Sequence, residues 1–194
     1  MSFLTGTQNE LLYSTIATGT QLNTFTTEDN LQKTLAPVII PAGFFYNAGA
    51  TGKSLKVKAY GRAGITTGAP TFTWTVRLIP STVTWSAAGI AFASVALPTN
   101  ASAQTLAPWI LELDLTLRTL SVGAASTIIV MGEVRAPILL ATPFMGTIPG
   151  NNTAITNATL DNSLYYSLWL SAACGTSNAL NLIQLELLKV YGEN

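Results

Sequence analysis

Trp109-Ile-Leu-Glu-Leu-Asp-Leu-Thr-Leu-Arg-Thr119 alternates strictly from Leu111 onward. Leu111, Leu113, Leu115 and Leu117 are apolar, and Glu112, Asp114, Thr116 and Arg118 are polar. Successive side chains of a strand point to opposite faces, so four leucines enter a core and four polar groups meet water or a partner. On a helix the same leucines would be spread around the cylinder. One apolar and one wet face predict a strand of an antiparallel sheet.

The same period recurs on both sides of this stretch. Ser54–Gly61 places Leu55, Val57 and Ala59 on one face and Lys56, Lys58 and Tyr60 on the other, with Gly61 and Gly64 marking a bulge or bend. Thr71–Ile79 sends Phe72, Trp74, Val76 and Leu78 inward and Arg77 outward, and reads as a hairpin with the preceding strand around Ile65–Pro70. Thr82–Trp85 and Ile90–Leu97 read as one or two more strands. Thr127–Arg135 follows the opening strand, with Ile128, Val130 and Val134 on its apolar side. Ser163–Ala173 puts Leu164, Tyr166, Leu168 and Leu170 on one face and Tyr165, Ser167, Trp169 and Ser171 on the other. Ala179–Tyr191 closes the chain and is expected to pair with Ser163–Ala173 through a turn at Gly175–Asn178.

The flanking segments carry weaker signals. Met1–Glu10 reads as an arm, Leu11–Ala17 as a short strand, and Gly19–Lys33 as a polar stretch anchored by Leu22, Phe25 and Leu31. Pro37 and Pro41 bracket Val38-Ile-Ile and predict an edge segment, because a central strand does not accept proline. Ala136–Asn162 is the longest irregular stretch, too apolar in its first half to be a free loop. It is expected to lie over the sandwich edge or against a neighbouring subunit. The sum is an all-β, antiparallel β-sandwich of about eight strands, of the jelly-roll type, with an immunoglobulin-like sandwich as the alternative. Residues 1–34 form an arm and lead-in strand of the same single domain as 35–194.

Composition points to assembly. The 194 residues are 48% hydrophobic with a mean hydropathy of +0.40, and only 9% charged, against about 25% in an average globular chain. A surface this poor in charge suits a chain covered by other chains. Nine basic and nine acidic residues cancel, which speaks against nucleic acid. No apolar run approaches the ~20 residues that span a bilayer, and no signal peptide is visible, so neither a membrane nor secretion is expected. Synthesis in a cytoplasm is the expectation. The single cysteine, Cys174, leaves no partner for an internal disulfide.

Chemistry is sparse. The chain has no histidine, which removes Ser-His-Asp and Cys-His catalysis and the usual zinc ligands together. Gly49-Ala-Thr-Gly-Lys-Ser ends like a phosphate loop but has mis-spaced glycines and precedes a strand. Glu112 and Asp114 sit two apart on one strand face, ~7 Å between Cα atoms, a spacing within the ~5–9.5 Å of glycoside hydrolysis. The competing reading is a wet strand face whose charges pair across the sheet with Arg77 or Arg135. No catalytic residue, cofactor or metal is therefore expected. Tyr165 and Trp169 share an outward face and suit either a partner or burial under a loop.

Several stretches together resemble a group of small tailed-bacteriophage virion proteins. They are Leu35-Ala-Pro-Val-Ile-Ile-Pro-Ala-Gly-Phe-Phe, Gly52-Lys-Ser-Leu-Lys-Val-Lys-Ala-Tyr-Gly-Arg, Thr73-Trp-Thr-Val-Arg-Leu, the Leu-rich strand with Arg118, Met131-Gly-Glu and the final Leu185-Glu-Leu-Leu. The resemblance spans most of 35–191. It implies a jelly-roll homotrimer in the virion: a cement or decoration protein on the capsid surface, bound to the major capsid protein and stabilising the head. The alternative is a receptor- or glycan-binding module of a tail or fibre, with Gly150–Asn162 as the tip. Residues expected at subunit contacts are Ile138, Leu139, Leu140, Phe144, Met145, Tyr165 and Trp169.

Overall fold

The computed structural model describes residues 9–45, 53–99, 102–119, 126–139, 145–148 and 157–193. Its strands are β1 (Asn9–Ser14), β2 (Leu22–Asn23), β3 (Asp29–Asn30), β4 (Val38–Ile40), β5 (Ser54–Ile65), β6 (Thr71–Pro80), β7 (Ile90–Pro98), β8 (Gln104–Thr119), β9 (Ser126–Arg135), β10 (Met145–Ile148), β11 (Asn157–Leu160), β12 (Tyr166–Cys174) and β13 (Leu182–Glu193). Among the described residues there is no helix. The larger sheet runs β1-β13-β5-β8-β9-β10, with β11 on β9 and β2 on β13. The smaller runs β3-β12-β6-β7, with β4 also on β12. All pairings are antiparallel.

The topology is a jelly roll with one insertion. Let β1, the β3/β4 pair, β5, β6, β7, β8, β12 and β13 count as first to eighth. The larger sheet then orders first, eighth, third, sixth, and the smaller second, seventh, fourth, fifth. That interleaving is the double-sheet jelly roll. The segment β9–β11 is inserted after the sixth strand and widens the larger sheet. Gly146 of β10 lies against Leu97 of β7, so the insertion packs over the edge of the smaller sheet.

This interleaving corrects two expected hairpins. β5 and β6 do not pair, and neither do β12 and β13; each pair is split between the sheets. Their connections are arches over the core. Buried Asn181 fastens both: its Oδ1 accepts the Thr66 N–H at 2.9 Å, and its Nδ2 donates to the Thr176 carbonyl at 3.0 Å. The Gly175 N–H donates to the Thr71 carbonyl at 2.8 Å. Thr82–Trp85 is loop rather than strand, and Ala136–Asn162 carries β10 and β11 on the edge of β9. Residues 1–8 of the expected arm lie outside the described residues; its last two, Asn9 and Glu10, open β1.

The core follows the alternation. Leu111, Leu113 and Leu115 are buried, as are Leu55, Val57 and Ala59 beside them and Phe72, Trp74, Val76 and Leu78 opposite. Full burial of a leucine contributes about 1.5–3 kcal/mol. A chain of rings joins the sheets: Trp109 to Trp74 at 6.3 Å, Trp74 to Phe72 at 5.7 Å, Phe72 to Phe25 at 5.8 Å. Small residues make room for it. Gly61 lies directly opposite Trp109, and a Cβ there would run into the indole ring and the Gln184 carbonyl. The eighth strand bulges between Leu185 and Leu187, beside Gly61. β5 slips register against β8 at Gly64, where Leu106 adopts φ 52°.

The outer face of the smaller sheet is covered along β12, where it carries Ser167, Trp169 and Ser171. All three are buried. The Trp169 indole N–H donates to Ser167 Oγ at 2.8 Å, and Ser167 Oγ donates to the Thr82 carbonyl at 2.6 Å. Arg77, directly opposite Trp169, donates through Nε and Nη2 to both oxygens of Glu28 at 2.6 and 2.5 Å. Its Nη1 donates to the Gly89 carbonyl at 2.5 Å, and Ser171 Oγ donates to Glu28. These contacts make the 81–89 loop a strap over the sheet and tie it, through Arg77, to Glu28 beside the edge strand β3.

Candidate functional site: the outer face of the larger sheet

With the 81–89 loop over part of the smaller sheet, the larger sheet presents a broad open face. Alternation on four long strands delivers ten of the chain's charged residues to it: Lys56, Lys58, Arg62, Arg135 and Lys189, with Glu112, Asp114, Glu133, Glu186 and Glu193. In a chain with nine residues of each sign, that is most of the supply on one surface.

Strand register sets their neighbours. One row across β13, β5, β8 and β9 reads Tyr191, Lys56, Asp114, Met131. The next reads Lys189, Lys58, Glu112, Glu133, and the third Leu187, Tyr60, Ile110, Arg135. In the first two rows the cations Lys56, Lys58 and Lys189 stand on β5 and β13 and the carboxylates Asp114, Glu112 and Glu133 on β8 and β9, while Glu186 and Glu193 flank the cations on β13 and Arg135 ends the carboxylate column on β9. The columns touch along the β5–β8 seam, where Lys58 meets Glu112 at 3.4 Å and Lys56 meets Asp114 at 3.5 Å. Lys56 also reaches Glu193 at 3.2 Å, and that hydrogen bond, with the Asp114 charge, raises its pKa. Arg62 pairs with Glu186 at 3.4 Å, and Arg135 with Glu133.

Like charges also stand opposite one another: Lys58 against Lys189 and Glu112 against Glu133. Such pairs are destabilising within a sheet. Lys189 has no ion pair among the described residues. Two shallow clefts follow the columns, one of about 360 Å3 lined by Lys56, Lys58, Tyr60, Lys189, Tyr191 and Glu193, the other of about 340 Å3 lined by Glu112, Asp114, Met131, Gly132 and Glu133. Met131 is 55% exposed between carboxylates.

Glu112 and Asp114 thus face lysines rather than each other, with side chains 35% and 58% exposed. A general acid of a glycosidase works from an apolar pocket that holds its proton, and neither carboxylate has one. Arg77, considered as a cross-sheet partner, belongs to the other sheet and pairs with Glu28. Among the described residues no group of three or more His, Cys, Asp or Glu converges as metal ligands.

No protein-family model matches the chain. No curated protein matches it either. Among solved structures it is similar to the CBM2 module of the evolved Dit of Lactobacillus casei BL23 phage J-1, at 12% identity and a TM-score of 0.30, over 95% of this chain and 96% of that one.

The residues expected at subunit contacts divide. Ile138 and Leu139 are buried in the chain's own core, with Leu139 bridged to Thr99, so this part of Ala136–Asn162 lies over the sandwich edge. Trp169 is buried under the strap, Met145 is half-buried on β10, and Tyr165 is exposed. Leu140 and Phe144 lie outside the described residues, as do 150–156 of the expected tip. Lys189, Tyr191 and Glu193 were not singled out from sequence. Their alternation was readable, but their place beside Lys56 and Lys58 required the jelly-roll order.

Proposed function

We propose that the protein is a structural component of a bacteriophage virion, a tail-associated module in preference to a capsid cement protein, and that it works by surface contact rather than by turning over a substrate. The observation that carries this reading is the outer face of the larger sheet. It gathers the scarce charge of the chain into ordered columns with tyrosines among them, on clefts too shallow to enclose a substrate. The strand motifs that resemble phage virion proteins lie on this same framework, β4, β5, β6, β8, β9 and β13.

The preference for the tail rests on where three of the expected contact residues lie. A cement protein spread over a head needs broad apolar contact of the obligate kind. Ile138, Leu139 and Trp169, which would have supplied it, are consumed by the chain's own core and strap. The outer face of the larger sheet, rich in charge, is suited instead to one defined contact. The test is to locate the chain on intact particles with gold-labelled antibody. Label confined to the tail is expected; label over the whole head would return the cement reading, and particles without label would end both.

A further inference from the structure

We infer that the outer face of the larger sheet binds the same face of a second copy of this chain, about a two-fold axis that runs along the strands between β5 and β8. This deepens the proposed function, on which it rests, by naming the partner at that face. The argument is charge complementarity. A rotation about that axis exchanges the two columns and keeps each residue's height along the strands. Lys58 of one copy then faces Glu112 of the other, Lys56 faces Asp114, and Lys189 faces Glu133. A two-fold axis across the strands would instead set lysines over lysines.

Three oddities of the single chain are answered together. The like pairs Lys58–Lys189 and Glu112–Glu133 each gain the opposite charge above them. Lys189, without an ion pair among the described residues of its own chain, gains a carboxylate. Exposed Met131 comes opposite Tyr191, a sulfur–aromatic pairing. The contact is isologous and closes on itself. Aligned sheets pack with their strands within about 30° of each other. The size is adequate as well: four strands about 4.8 Å apart and about ten residues long offer about 630 Å2 per copy, a total of about 1,270 Å2, at the lower end of stable specific interfaces.

The experiment is sedimentation velocity on the full chain and on two charge-reversed variants, K56E/K58E and E112K/D114K, with circular dichroism confirming that each is folded. The wild-type chain is expected to be a dimer. Each variant alone sets like charges face to face across the axis and should associate about a hundredfold more weakly or less. Mixed in equal amounts, the two variants should recover a dimer containing one of each, which repair of an ion pair inside one chain does not produce. A monomeric wild-type chain at millimolar concentration, a trimer, or a mixture that stays monomeric overturns the inference. A dimer that labels no phage particle would leave the inference standing and remove the virion reading instead.

Discussion

Removing the Glu28 carboxylate should unfasten the strap over the smaller sheet. Glu28 and Arg77 form a two-pronged pair at 2.6 and 2.5 Å, with side chains only 19% and 13% exposed. Breaking one partner of a buried pair costs about 3–5 kcal/mol, whereas an exposed pair is worth about 0.2–1 kcal/mol. At this exposure E28A belongs near the lower end of the buried range, about 3 kcal/mol. It leaves the Arg77 guanidinium under the 81–89 loop with the Gly89 carbonyl as its remaining named acceptor, and Ser171 Oγ with only the Thr75 carbonyl at 3.2 Å. Burial raises the Glu28 pKa, but hydrogen bonds from Arg77 and Ser171 and the Arg77 charge outweigh it and hold the carboxyl below its ordinary value. A depressed carboxylate pKa gives stability that is fully present above the unfolded-state pKa of about 4.3. That stability is lost as pH falls through the folded-state value. Urea unfolding of wild type, E28A, R77A and the double variant at neutral pH measures the coupling, expected at about 2 kcal/mol. Repeating the series at falling pH should show the wild type converging on E28A in acid. A coupling below about 0.5 kcal/mol, or equal acid sensitivity of wild type and E28A, would refute the account.

Gly61→Ala should destabilise the fold by about 1–3 kcal/mol, the cost of overpacking a filled core, because the new methyl meets the Trp109 ring and the Gln184 carbonyl; thermal unfolding checks it, and an unchanged melting temperature would mean that the ring has room to move. Cys174 is buried, and burial raises its thiol pKa while Sγ donates to the Thr176 carbonyl at 3.3 Å. Its reaction with a disulfide reagent at mildly alkaline pH should be about a hundredfold slower in the folded chain than in urea, since attack needs an exposed thiolate and therefore local opening.

Alternation made the faces legible and left the neighbours illegible. The inward residues of β5, β6, β8, β9 and β13 could be read directly, because burial on one side imposes a period of two. Turn chemistry does not say whether the chain returns to the same sheet or crosses to the other. Thr66–Pro70 and Gly175–Asn178 have the glycines, prolines and asparagines of hairpin loops, yet both are arches. Strands of two to four residues, such as β3, β10 and β11, are shorter than the pattern needed to announce them. For Ser167, Trp169 and Ser171 the sequence leaves exposure and burial open for another reason. A sheet face covered by a polar strap keeps hydroxyls that hydrogen-bond to the cover, and in sequence these look like hydroxyls facing water.

The candidate face shows the same limit in its charges. Lys56 and Lys58, like Glu112 and Asp114, sit two apart and so share a face, which sequence declares. Their arrangement as opposed columns depends on β5 lying between β13 and β8 and on β9 following β8. Had β5 and β6 formed a hairpin, the lysines would lie beside Arg77 and the cation column would lose its carboxylate border. The jelly-roll order thus does more than close the core. It sets the two signs of a charge-poor chain side by side on the outer face of the larger sheet, and the like-charge pairs Lys58–Lys189 and Glu112–Glu133 give that face a reason to be covered.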